Sequence, residues 1–260
     1  MSRSFDTFGD DSITLSPGAL AGDTGGPFSV VVLHRPVGVF CGLIHAEKAS
    51  VTQWELWGEG SNYFVMPGGF AAGPAPVAAT WQLIGYSKAA GTVTPRYHMV
   101  TLEGGSAGVW AHQDGTSTSG DWSGPVDALK IGHGQRRGNG LVAAIAVYTQ
   151  TFNDAGWETT LGYTAAQDWF DAAPAGMWLL NQANTSDPVL DVTSGHADQA
   201  ATTNPAVSAS NPPGWDYTIV TDTSTGSGAQ PRRVSATGHG RGISERQFPR
   251  ITSRTQGGRL

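Results

Sequence analysis

Residues with chemically useful side chains are present, but few of them fall at informative spacings. Glu55 and Glu59 stand four apart in TQWELWGEG, a separation that puts two side chains on one face of a strand. Two carboxylates about 5–10 Å apart across a groove are what glycoside hydrolysis needs. Gly58 interrupts the run and no acid-x-acid-x-acid alternation accompanies it, so the pair reads as solvated carboxylates beside Trp54 and Trp57, and no catalytic residue is expected. Asp10 and Asp11 offer hard oxygen donors in a turn, yet Ca2+ takes six or more oxygens, and Asp in a turn commonly bonds its own backbone. Asp191 and Asp198 read the same way. The histidines, His34, His45, His98, His112, His133, His196 and His239, show no H-x-x-x-H spacing, and one cysteine cannot build a zinc knuckle. They are expected to be scattered strand and loop residues, with no metal and no cofactor. The G-x-S-x-G elbow and the P-loop are both missing, and GHGQRRG from Gly132 reads as a hairpin loop.

Nine tryptophans remain. Trp54, Trp57, Trp110 and Trp122 are flanked by polar residues or glycine and are the candidates for stacking on a sugar ring, with rim or core packing the favoured reading. Trp81, Trp169, Trp178 and Trp215 have apolar neighbours and read as core.

The elements that must position these residues are strands. Phe28 to His34, FSVVVLH, is a continuous β-branched run suited to a strand buried on both faces. Val39 to Ala46, Thr52 to Gly58 and Asn62 to Pro67 are short and apolar between Gly, Ser and charged punctuation, as in a meander. Thr80 to Lys88 and Arg96 to Leu102 flank a short connection and form the clearest hairpin. Val126 to Ile131 is a short strand. Leu141 to Phe152 is long enough for a helix, but its Val and Ile content after a glycine-rich loop favours a central strand. Helix is expected only around Thr164 to Phe170, with Thr164 as cap and Pro174 as stop. Gly176 to Gln182 and Asn211 to Val220 supply the last strands.

At 260 residues, one large sandwich is the simplest architecture. Glycine at 36, proline at 15 and 14% charged residues fit strands and turns. One cysteine excludes an intrachain disulfide, the opening MSRSFDTFGDDS lacks the pattern of a signal peptide, and no apolar run reaches the roughly 20 residues of a membrane span. A soluble chain made in a cytoplasm is expected, with no membrane partner. The net charge of −6 is unevenly spread: residues 231–260 hold seven arginines against Glu245, leaving −12 on the rest. The division expected is a body over 1–220, a linker over 221–230 and a basic extended arm over 231–260. Arg232, Arg233, Arg241, Arg246, Arg250, Arg254 and Arg259, with Phe248 and Ile251 among them, are the docking residues. Arginine forms bidentate pairs and stacks as well as carrying charge, so a protein partner fits such an arm better than nucleic acid.

Several segments resemble the laminin-G-like and concanavalin A-like jelly rolls. FDTFGDDSITL (Phe5 to Leu15) is similar to the opening "F-D-G-x-D-D-x-I" of those domains. LKIGHGQRRGNGLVAAIAVYTQTFNDAGWETTLGY resembles the "l-x-I-G-…-G-x-I-a-x-v-x-v-y-x-x-x-l-x-d-a-E" hallmark through Gly132, Gly140, Ile145, Val147, Tyr148, Phe152, Asp154, Ala155 and Glu158, with Gly156 and Trp157 departing from its spacing. GMWLLNQ followed by DVTSGHADQAA resembles a segment that usually opens such domains and here closes one, a circularly permuted order. The resemblance implies an all-β, two-sheet antiparallel jelly-roll sandwich of permuted strand order, with the C-terminal arm outside it. Many relatives bind Ca2+, which bears on Asp10 and Asp11.

The permuted order is similar to that of accessory tail or capsid proteins of actinobacteriophages. It implies a non-enzymatic virion structural protein, assembled in a bacterial cytoplasm. The sandwich would be displayed and the arm docked into capsid or tail subunits, with self-association open. The alternative is a carbohydrate-binding module for host-surface glycans, and a glycan hydrolase stands behind both.

Overall fold

The computed structural model describes residues 2–5, 11–15, 26–38, 40–66, 71–89, 94–103, 106–115, 126–132, 139–162, 164–184, 187, 189–193, 197–198, 201–203, 206–221 and 233–234. In chain order the strands begin with β1 (Ser2–Phe5), β2 (Ser12–Leu15), β3 (Phe28–Pro36), β4 (Cys41–Lys48), β5 (Val51–Glu59), β6 (Asn62–Met66) and β7 (Ala71–Ala72). Next come β8 (Trp81–Lys88), β9 (Arg96–Glu103), β10 (Ser106–Ala107), β11 (Ala111–Asp114), β12 (Ala128–Ile131) and β13 (Gly140–Tyr148). Two helices follow, α1 (Asp154–Thr159) and α2 (Ala166–Asp171). The remaining strands are β14 (Gly176–Leu179), β15 (Val189–Leu190), β16 (Ala197–Asp198), β17 (Ala201–Thr203), β18 (Ala206–Ser208), β19 (Ile219–Val220) and β20 (Arg233–Val234).

Two antiparallel sheets dominate. A nine-stranded sheet runs β10-β9-β8-β3-β13-β1-β18, with β11 also on β9 and β14 also on β13. A seven-stranded sheet runs β17-β2-β12-β4-β5-β6-β7. The inner faces meet in one core that includes Val30, Val32, Ile145 and Val147 from the first sheet and Leu56, Val65, Leu129 and Ile131 from the second. Alternate residues of the same strands, Val31, Leu33, Ala144 and Ala146, face outward into a second core. That core is closed by Trp157 of α1, Trp169 of α2, and Trp215. This explains the unbroken apolar runs of β3 and β13, since both faces are covered.

The architecture is therefore the all-β jelly-roll sandwich that the sequence implied. The clearest predicted hairpin is β8–β9, and Leu141 to Phe152 supplies strand β13 rather than a helix. One expectation is corrected: α1 is a second helix, where helix was expected only around Thr164 to Phe170. Its six residues include Gly156, a poor helix former. It forms because Asn153 caps it by accepting from the Gly156 N–H at 2.8 Å, and because Trp157 is wholly buried. The cap of α2 is corrected as well. Ala165 occupies it without a side-chain bond, and the Thr164 hydroxyl instead donates to Asp168 Oδ2 at 3.4 Å. At the other end of the body, β19 pairs with β20, two residues of the segment expected to be the arm.

Candidate functional site

At the β9 edge of the nine-stranded sheet, β11 adds antiparallel to β9 with His112 directly opposite His98, and Asp114 opposite Arg96. Paired residues in a ladder share a face, here the outer one, where Val100 and Leu102 of β9 also lie. The start of α1 comes down on that face and brings Asp154, Trp157 and Glu158 to the two histidines. His98 is fully buried, its ring stacked on Trp157 at 4.4 Å and 14°. A flat strand surface is required beneath the indole, and Gly85, opposite His98 on β8, provides it: a Cβ there would collide with the Val30 carbonyl and the Trp157 ring. The indole is fixed from its other end by donating from Nε1 to Ser87 Oγ at 2.9 Å.

The polar atoms converge. His98 Nδ1 and His112 Nδ1 are 2.8 Å apart. Asp154 Oδ1 lies 3.7 Å from the first and 3.6 Å from the second. On the far side of its ring, His112 Nε2 donates to Glu158 Oε1 at 2.8 Å, which leaves its Nδ1 as the lone-pair nitrogen. The Arg96 fork donates from Nε to Asp154 Oδ1 at 2.7 Å and from NH2 to Oδ2 at 2.6 Å, and from NH1 to Asp114 at 2.8 Å. That hydrogen bonding holds the Asp154 carboxyl at about 2, and burial with the adjacent His112 holds His98 down to about 3. The site is thus ionised at its carboxylate and neutral at its buried imidazole. Trp110 lies flat beside His112, at 5.9 Å and 4°, half-buried at the rim.

The histidines are accordingly not all scattered, as the linear spacing implied. His98, His112 and Asp154 bring one ligand atom each to within 4.8 Å of one another. They are far apart in sequence and meet only through the β9–β11 register and the docking of α1. The short β10, which also pairs with β9 before β11 does, hides that register from a hairpin reading.

Other candidates fall differently. Trp54 does not present a face to a sugar: it is buried between the sheets, edge-on to Phe28 at 4.9 Å. Trp57 is corrected likewise, being fully buried on the outer face of the seven-stranded sheet, stacked on Phe64 at 5.5 Å. Trp81, Trp169, Trp178 and Trp215 are core as expected. Glu55 and Glu59 do share a face of β5, but Trp57 stands between them and donates to Glu59 at 3.1 Å. Glu55 is buried against His45 at 3.8 Å rather than solvated. Beside it, His45 bonds Glu47, which Lys130 also contacts at 2.6 Å. Asp191 accepts from the backbone of Met177 and from both donors of Thr193, the turn role expected of it. Asp10, Trp122, Arg232, Arg241, Arg246, Phe248, Arg250, Ile251, Arg254 and Arg259 lie outside the described residues, and of the arm's arginines Arg233 alone falls in a described strand.

No known protein family matches the chain, and no curated protein matches it. Solved structures do. A Bacteroides ovatus protein described as a candidate carbohydrate-binding protein aligns with a TM-score of 0.52 at 13% identity, over 79% of this chain and 61% of that one. The laminin α2 LG1-3 region aligns at 0.39 and 14% identity over 58% and 32%, and mouse laminin α1 LG4-5 at 0.36 and 11% over 56% and 41%. This chain spans less than two thirds of each of them. Its two-sheet antiparallel topology and the first of these likenesses define the class: a laminin-G/concanavalin A-like jelly-roll sandwich.

Proposed function

We propose that the chain is a non-catalytic recognition module whose sandwich binds carbohydrate and whose basic C-terminal arm attaches it to a larger assembly. One observation carries the first half: the fold is shared, over 79% of the chain, with the Bacteroides ovatus protein described as a candidate carbohydrate-binding protein. The β9–β11 rim supports it, because it joins a half-buried indole, Trp110, to the exposed carboxylates of Asp114 and Glu158. An aromatic face for the apolar side of a pyranose beside acceptors for its hydroxyls is the combination such ligands require. We assign the module no reaction, since Glu55 is enclosed against His45 and Glu59 is held by the Trp57 indole.

The second half rests on charge. Seven arginines against one glutamate over residues 231–260, joined to a body of −12, fit docking onto acidic protein subunits. A virion is one such assembly, where many copies would turn weak sugar contacts into firm adsorption. The test is a glycan array read with the full chain and with Trp110→Ala. Binding to a defined set of glycans that the variant loses supports the sugar reading, and equal binding by both, or none by either, removes it from this rim.

A further inference from the structure

We infer that His98, His112 and Asp154 form a site for one first-row divalent transition metal, with Zn2+ foremost, bound by the two Nδ1 atoms and Oδ1. The geometry is direct. A triangle with edges of 2.8, 3.6 and 3.7 Å has a centre about 2.0 Å from each corner, the length of Zn–N and Zn–O bonds. An ion set slightly out of that plane meets three ligands at bonding distance with little movement of the chain. The Asp154 side chain is 40% exposed whereas that of His98 is wholly enclosed, so solvent reaches the site from the Asp154 side and a water from there would complete four-coordination.

The surroundings match what metal sites build around their ligands. Glu158 takes the Nε2–H of His112, the carboxylate–histidine arrangement that fixes the tautomer and raises the basicity of the metal-facing nitrogen. Arg96 grips both oxygens of Asp154 and sets the carboxylate's orientation. The carboxylates of Asp114, Asp154 and Glu158 outweigh Arg96 by two charges, which a divalent ion balances. Two imidazole nitrogens exclude Ca2+ and Mg2+, which take oxygen, and favour the borderline ions. Binding displaces the proton that His98 Nδ1 donates to His112 Nδ1, the two atoms lying 2.8 Å apart. The bound ion ties β9, β11 and α1 together at the sheet edge.

The experiment uses the full chain stripped with EDTA. Zn2+ is titrated in competition with a chromophoric chelator, and Co2+ serves as a spectroscopic probe. One saturable equivalent is expected, with Co2+ giving the visible bands of a low-coordinate site containing nitrogen ligands. His112→Gln should abolish that equivalent. Glu158→Ala, at an exposed position where folding is not at stake, should weaken it about 10–100-fold through the lost outer-shell bond. Absence of a saturable equivalent in the unaltered chain overturns the inference. So does binding that survives unchanged in both variants, which would place the metal on other histidines.

Discussion

Gly85 and Ser87 lie on the same strand, and both serve Trp157. The first leaves room for the indole and the second accepts its N–H, while also sharing a hydrogen bond with Ser29 at 2.9 Å. Gly85→Ala forces a methyl group against the Val30 carbonyl and the ring, so overpacking should cost about 1–3 kcal/mol or more, read as a fall in ΔG of unfolding in urea. Ser87→Ala leaves a buried indole N–H without its acceptor and should cost about 1–3 kcal/mol in the same measurement. Because Trp157 also stacks on His98, both changes should loosen the histidine pair. None of these contacts could be read from the sequence, where TWQLIGYSK shows a strand with an unexplained glycine.

Burial makes another residue a pH sensor for stability. His34 is enclosed between the sheets, shares a 2.7 Å hydrogen bond with the Tyr63 hydroxyl, and is held down to about 3 by loss of solvation. In the unfolded chain the same ring takes up a proton below about 6.5. Its stabilising effect is therefore complete above that pH and is lost as the pH falls towards 3, at up to about 1.4 kcal/mol per pH unit. Denaturation midpoints between pH 7.5 and 4.5 should fall less steeply in His34→Asn than in the unaltered chain.

At the level of elements, the sequence disclosed what periodicity and β-branched composition dictate. β3 was legible from its continuous β-branched run, β8 and β9 from their matched lengths about a short connection, and β13 from its Val and Ile content after a glycine-rich loop. α1 was not, because six residues with a central glycine carry almost no intrinsic helical signal. Its existence depends on Asn153 and on the Trp157 anchor. Asn153→Ala should therefore cost about 1 kcal/mol through the lost cap, measurable by thermal or chemical denaturation. The candidate site was illegible for the same reason: His98, His112 and Asp154 come from a ladder pairing and a helix dock, neither of which leaves a mark in linear spacing. Trp54 and Trp57 fell to the packing side of the choice for a related reason. Polar neighbours in sequence do not report what covers a strand face, and both indoles are enclosed by aromatic partners, Phe28 and Phe64.

For the whole molecule, the sequence conveyed the architecture and the charge division, because a chain of strands and turns with a separate run of arginines leaves few alternatives. In the proposed division, the sandwich recognises the ligand and the arm attaches the molecule. A chain ending at Ser235 keeps β20 on β19 while removing most of the basic segment, and its melting temperature should match that of the full chain, since among the described residues the cores draw on none beyond Ile219. The most direct measurement is equilibrium binding of this shortened chain and of the full chain to the glycans that score on the array. Equal affinity for both, lost with Trp110→Ala, is the predicted result. Loss of glycan binding on removing the arm, with Trp110→Ala without effect, would contradict the account.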